Sequence, residues 1–178
     1  MVNLLPSLIA ISLLLSGCGS QGLTETSKTQ SAATTPPIVS PAIPQKLRVT
    51  AKLIVNTTTI LLEEANTQQE QQIGLMMRIS MPINHGMAFN FNPPVPARFW
   101  MKNTLIPLDM LFVREGKIKN IQANVPPCKA DPCPNYGPEN GELIDRVIEL
   151  NAGEAKKLGL KVGDSINFIQ PKNFSVDW

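Results

Sequence analysis

Histidine, cysteine and aromatic side chains are scarce in this chain: its 178 residues include one His, three Cys and one Tyr, and Phe, Trp and Tyr together make up 5%. The single histidine, His85, lies far in sequence from Cys128 and Cys133, and a metal site needs more ligands than two thiolates. His85 would also have to serve in any Ser-His-Asp triad. No G-x-S-x-G stretch accompanies it, so nucleophilic hydrolysis has no motif to rest on. An excess of either charge is lacking too. Lys and Arg number 16 against 14 Asp and Glu, without a block of like sign, so the electrostatic footprint of a nucleic-acid binder is missing and no nucleic-acid partner is expected. Gly159 to Asp164, Gly-Leu-Lys-Val-Gly-Asp, has the glycines of a phosphate loop without its Gly-Lys-Ser/Thr ending. Glu63 and Glu64 are neighbours, and neighbours on a strand face opposite ways, so they cannot share a cleft as a catalytic carboxylate pair. No metal and no cofactor is expected.

What the chain does have is aliphatic bulk. Hydrophobic residues make up 43%, enough for one compact core at a length that suits one domain. The apolar run from Leu4 to Leu15 is interrupted by Pro6, Ser7 and Ser12 and is too short to span a bilayer, but it has the length of a signal-peptide core. It leads into Leu15-Ser16-Gly17-Cys18, which resembles a bacterial lipobox. That resemblance implies a mature chain that starts at Cys18, carries a diacylglycerol on its sulfur and faces the periplasm or the outside of the cell envelope. Each buried methylene contributes about 0.8 kcal/mol, so several acyl chains hold firmly, and the membrane becomes the first expected partner. Residues 1–18 are accordingly read as a lipoprotein signal peptide. Residues 19–46, dominated by Ser, Thr, Gln and Pro, read as a disordered tether. Residues 47–172 form a single β-rich domain, and 173–178 a tail.

With Cys18 lipidated, Cys128 and Cys133 remain in the Pro-rich stretch "PPCKADPCPNYG". In an oxidising envelope compartment two nearby thiols normally pair. Zinc ligation and redox chemistry are the alternatives, and the spacing is not the C-x-x-C of a thioredoxin-like site. Between these landmarks the domain is a series of short β-prone runs. "LRVTAKLIV" and "TTILLEEA" read as a hairpin turning at Asn56-Thr57. Thr67 with Glu70 three residues later has capping-box spacing and predicts a helix over about 67–77 with Ile73, Met76 and Met77 buried. "GMAFNF" is a strand that "NPPVPA" should break. "RFWMKN" and "DMLFVR" read as paired strands, Glu115-Gly116 as a turn, and "KIKNIQANV" and "LIDRVIEL" as further strands. Asn151 should cap a second short helix ended by Gly159, before a last strand. The fold class expected is all-β, sandwich-, barrel- or jelly-roll-like, with two short helices. The methionines Met76, Met77, Met81, Met87, Met101 and Met110 fall at core spacing and read as core filling, with an envelope copper site as the alternative.

Five blocks then occur in order: Gly74-Leu75-Met76-x-Arg78; Gly86-Met87-x-Phe89; Phe99 to Thr104 with Pro107-Leu108-Asp109; Cys128 with Asp131-Pro132-Cys133; and Glu149 to Gly153 with Leu158-Gly159-Leu160 and Gly163-Asp164. This series resembles the family known as domain of unknown function 192, over essentially all of residues 47–170. The resemblance implies a β-sandwich-like fold, frequent secretion or lipidation, and no established activity. Ile73 stands where relatives commonly carry Arg, and Ala88 where they tend to carry Leu.

Within the apolar run "FWMKNTLIPLDM" (99–110), Lys102, Asn103 and Asp109 raise the question of a site. The period of two puts Trp100 and Lys102 on one face, and Asp109 would return within reach of Lys102 or Asn103. As a site, Trp100 would supply a stacking surface, Lys102 a cation, and Asn103 and Asp109 orienting hydrogen bonds. As scaffold, Asn103 and Asp109 would bond backbone amides and Lys102 would neutralise Asp109. Arg78 is expected to pair with a carboxylate such as Asp109 or Glu149, or to join the site. The expected function is a non-catalytic ligand- or partner-binding module of the envelope acting through Arg78, Trp100, Lys102, Asn103 and Asp109. The alternative is an envelope hydrolase on an anionic substrate, with Asp109 or His85 as base.

Overall fold

The computed structural model describes residues 43–178; the signal peptide, Cys18 and most of the tether lie outside the described residues. The expected β class is what the chain forms. β1 (Val49–Val55) and β2 (Thr58–Ala65) make the first hairpin, turning where Asn56 takes a positive φ of 54°. α1 (Gln68–Ile73) follows, then β3 (His85–Val95), β4 (Phe99–Trp100), β5 (Leu108–Arg114), β6 (Lys117–Val125), β7 (Asn135–Tyr136), β8 (Ile144–Asn151), α2 (Glu154–Lys157) and β9 (Asn167–Ile169). Seven strands form one sheet in the order β6-β5-β8-β3-β2-β1-β9, and β4 with β7 forms a separate ribbon. The sheet curls until its edges meet: Lys117 at the start of β6 bridges Ser165 just ahead of β9, and Ile118 exchanges backbone hydrogen bonds with Gly163 and Asp164.

The curl gives the sheet two buried faces, each with its own core. Leu53, Leu62, Ala88, Leu111, Ile118 and Ile148, from six strands, meet on the concave side, plugged by Ala155 of α2. Met87, Phe89, Met110, Phe112 and Val147 pack on the convex side beneath α1, the turns after it and the β4–β7 ribbon. Phe99 ties the ribbon down, meeting Phe89 edge-on at 4.9 Å and Phe112 at 6.0 Å. Full burial of side chains of this size contributes roughly 1.5–3 kcal/mol each. Gly86 sits where the layers are closest: a Cβ there would lie 2.5 Å from the Glu149 carbonyl oxygen.

Several local expectations change. The helix begins at the predicted capping box, with Thr67 accepting from the Glu70 amide and the Glu70 carboxylate accepting from Thr67, but it ends at Ile73. Gly74 takes a positive φ of 49° and turns the chain, so Leu75 and Met76 are buried while Ile73 and Met77 are only half-buried. β3 runs on through Pro93-Pro94 to Val95, because the ladder is interrupted after Asn90 and resumes only at Val95 with Ile144, so neither proline has to donate. β4 pairs with β7 rather than with β5, which lies between β6 and β8. Gly153 rather than Asn151 caps α2; the Asn151 amide instead donates to the carbonyls of Met81 and Pro82. Cys128 and Cys133 are joined in a disulfide, in the loop that leads into β7. Near the end of the chain, Val176 exchanges two backbone hydrogen bonds with Val49.

Candidate functional site

Sheet register builds the site. Glu63 on β2 lies beside Met87 on β3, Met87 beside Glu149 on β8, and Glu149 beside Met110 on β5, so one row crosses the convex face with a carboxylate on either side of Met87. The turns after α1 bring Arg78 over this row. Its guanidinium donates to both Glu63 oxygens, at 2.6 and 2.7 Å, and to the Gln45 carbonyl at 2.8 Å, while the Leu47 amide donates to the same carboxylate at 2.7 Å. Both members of the pair are buried, at 4% and 0% exposure. A fork-to-fork pair with its remaining positions filled is the geometry a buried charge pair needs.

His85 lies beside that pair, its Nε2 3.8 Å from Glu63 Oε1 and without a hydrogen-bond partner among the described residues. Burial pushes its pKa down, against the pull of the Glu63 charge. The Trp178 ring covers it at 4.3 Å, and the indole nitrogen donates to the Leu47 carbonyl.

Glu149 has a different environment. The residue is only 4% exposed, and burial pushes its pKa up to about 8, opposed by the charge of Arg78; among the described residues its carboxyl makes no hydrogen bond. At neutral pH it is therefore mostly a neutral acid, able to donate as well as accept. It lies in a cleft of about 40 Å³ with Thr104, Gly74 and Met76. Gln71, Gln72, Phe99 and Trp100 line this cleft and also line an adjoining groove of about 470 Å³, which extends past Phe91 to Arg98. Amide side chains of α1 thus face an aromatic wall carried by β4, with a carboxylic acid at the bottom.

The residues singled out in the sequence separate in space. Trp100 lines the groove. Lys102 lies 5.7 Å from the Trp100 ring centroid, but it pairs with exposed Asp131 at 3.1 Å and borders a different hollow beside the disulfide. Asn103 takes a positive φ of 57°, and its carbonyl accepts from the Met77 amide, joining the two loops that frame the cleft. Asp109 does not return toward Lys102 or Asn103. The pleat turns it to the concave side, away from Met110, where it is fully buried and accepts from the backbone amides of Asn124 at 2.7 Å and Ala155 at 2.8 Å. Arg78 pairs with Glu63 rather than with Asp109 or Glu149. Glu149 appeared in the sequence only as a partner for Arg78. The strand "LIDRVIEL" holds two acidic residues, and the signal available was that Glu149, unlike Asp145, stands between the apolar Ile148 and Leu150.

The family model described as DUF192, uncharacterized ACR, matches residues 51–168. The chain belongs to this family. Two solved structures are similar to it. A candidate transcription regulator from Sinorhizobium meliloti 1021 shares 35% identity at a TM-score of 0.58, over 73% of this chain and 96% of its own. A protein of unknown function from Novosphingobium aromaticivorans DSM 12444 shares 32% identity at a TM-score of 0.59, over 76% and 99%. Among curated proteins there is no match. What this chain shares with its DUF192 relatives is thus the β fold.

Proposed function

We propose that this DUF192 protein is a lipid-anchored module of the bacterial envelope that binds a small polar ligand without turning it over, in the groove between α1 and β4. The observation that carries the reading is Glu149: a buried acid whose carboxyl has no hydrogen bond among the described residues, lining a cleft that shares Gln71, Gln72, Phe99 and Trp100 with a larger groove. Buried polar groups are normally satisfied, and one that is left free beside a groove is suited to a partner from outside. Trp100 supplies the stacking surface, and Arg78, held by Glu63, fixes the electrostatic surroundings of Glu149. Lys102 and Asn103 border the neighbouring hollow. A hydrolase with Asp109 as base has little support, since both oxygens of that carboxylate already accept backbone amides.

The test is thermal melting of the full chain against an envelope metabolite and glycan library, beside Glu149→Gln and Trp100→Ala. A compound that raises the melting point of the parent and not of these variants, with no product formed, supports the reading. Turnover of any library compound that disappears in Glu149→Gln would instead make the groove catalytic. The anchor is tested separately: in the native cell, Cys18→Ser should move the protein from the membrane to the soluble fraction. A variant that stays with the membrane would remove Cys18 lipidation from the account.

A further inference from the structure

The groove specifies more than a polar ligand, and resting on the binding role just proposed we infer that its ligand is an uncharged pyranose chain. Two charged side chains line the groove and cleft, Arg98 and Glu149. Glu149 is neutral over most of the physiological range, and Arg98 already donates to the Gly137 carbonyl at 3.2 Å. A strongly anionic ligand would find one partly committed guanidinium, and a cationic ligand would have to draw the proton off a buried acid. The rest of the lining is amide, hydroxyl and aromatic ring. Gln71 donates its amide nitrogen to the carbonyls of Ala65 and Asn90, which leaves its amide oxygen as an acceptor. Gln72 and Thr104 add groups that both donate and accept.

A sugar chain matches this chemistry. Pyranose hydroxyls both donate and accept, as the amides, the hydroxyl and the neutral acid do, and the apolar C–H face of a pyranose packs on an aromatic ring such as Trp100. The dimensions agree. A volume of about 470 Å³ falls within the range of small-ligand sites and suits two or three sugar rings. The side cleft at Glu149, about 40 Å³, admits only a group of about the size of a water molecule, such as a single hydroxyl. The acid at its end would exchange two hydrogen bonds with that hydroxyl.

The experiment is calorimetric titration of the full chain with N-acetylglucosamine trimer, maltotriose and, as a polyhydroxyl without pyranose rings, sorbitol. Saturable heat is expected with at least one trisaccharide and not with sorbitol. Trp100→Ala should weaken binding roughly tenfold or more, about 1.4 kcal/mol, and Gln72→Ala, at a half-buried position outside the core, should weaken it several-fold. Raising the pH through 8 should weaken it in the parent and not in Glu149→Gln. If neither trisaccharide binds while a library compound of another class protects the parent in a Trp100-dependent way, the sugar assignment is overturned and the groove keeps its binding role. If no compound of any class binds in a way that depends on Trp100 or Glu149, both fall together.

Discussion

Glu149 and His85 are the residues whose place in the fold most changes their chemistry, and they change it in opposite directions. Glu149 has its pKa raised from 4.5 to about 8, so the folded state holds its proton more tightly than the unfolded chain. Its contribution to stability is full below about pH 4.5 and is lost as the pH rises toward 8. His85 is lowered from 6.5, so it penalises the fold as the pH falls below that value and the buried ring must charge. Denaturant midpoints measured from pH 4.5 to 9 should therefore fall toward the alkaline side in the parent and stay flatter there in Glu149→Gln; parallel profiles would assign the titration to another group. The two cation pairs differ just as sharply. Arg78→Ala strands the Glu63 carboxylate in the core and should cost about 3–5 kcal/mol. Lys102→Ala removes a pair whose members are 37% and 67% exposed, and should change chemical stability by less than about 0.5 kcal/mol. At this scale the sequence was half legible. Asp109 was recognisable as a residue that binds backbone amides, but its direction was not, because β5 is buried on both faces and shows no alternation of apolar and polar residues to reveal one.

Among the elements, the β4–β7 ribbon depends most on a single link. It is two residues long on each side, and the Cys128–Cys133 disulfide closes the loop just ahead of β7. Closing so small a ring restricts the loop more than it stabilises the whole domain. In Cys128→Ser/Cys133→Ser, amide exchange should accelerate at Asn135 and Tyr136 and across the β4 wall of the groove, while the strands of the large sheet keep their protection. Acceleration spread evenly over the sheet would show that the disulfide holds the global fold instead. Local signals read well at this level where they were self-contained: the Thr67–Glu70 box starts α1, and Asn56 turns the first hairpin. They failed where a distant partner decided, as when β4 chose β7, some 35 residues on, over the nearer β5, and when β3 continued through two prolines to meet Ile144.

The whole sheet makes the two cores one cooperative unit. The central strands β3, β5 and β8 each send side chains into both the concave and the convex cluster, so neither core can open without pulling the same strands apart. Unfolding should be two-state, with tryptophan fluorescence, which reports on Trp100 and Trp178, and far-ultraviolet dichroism changing together. A fluorescence change that came well before the loss of strand signal would mean that the layer over the convex face opens separately.

By itself the sequence determined the β class, the first hairpin, the capping box that starts α1, and the family, because propensity, turn chemistry and ordered motifs are local or additive along the chain. Only the tertiary structure decided that Glu63 takes Arg78, that Asp109 points into the concave core, and that Glu149, without a hydrogen bond among the described residues, lines the cleft beside a groove walled by Trp100. Those outcomes depend on strand register and on which face each loop covers. Register across β2, β3, β8 and β5 joins residues up to 86 positions apart, from Glu63 to Glu149, and no local pattern in the chain records such a pairing.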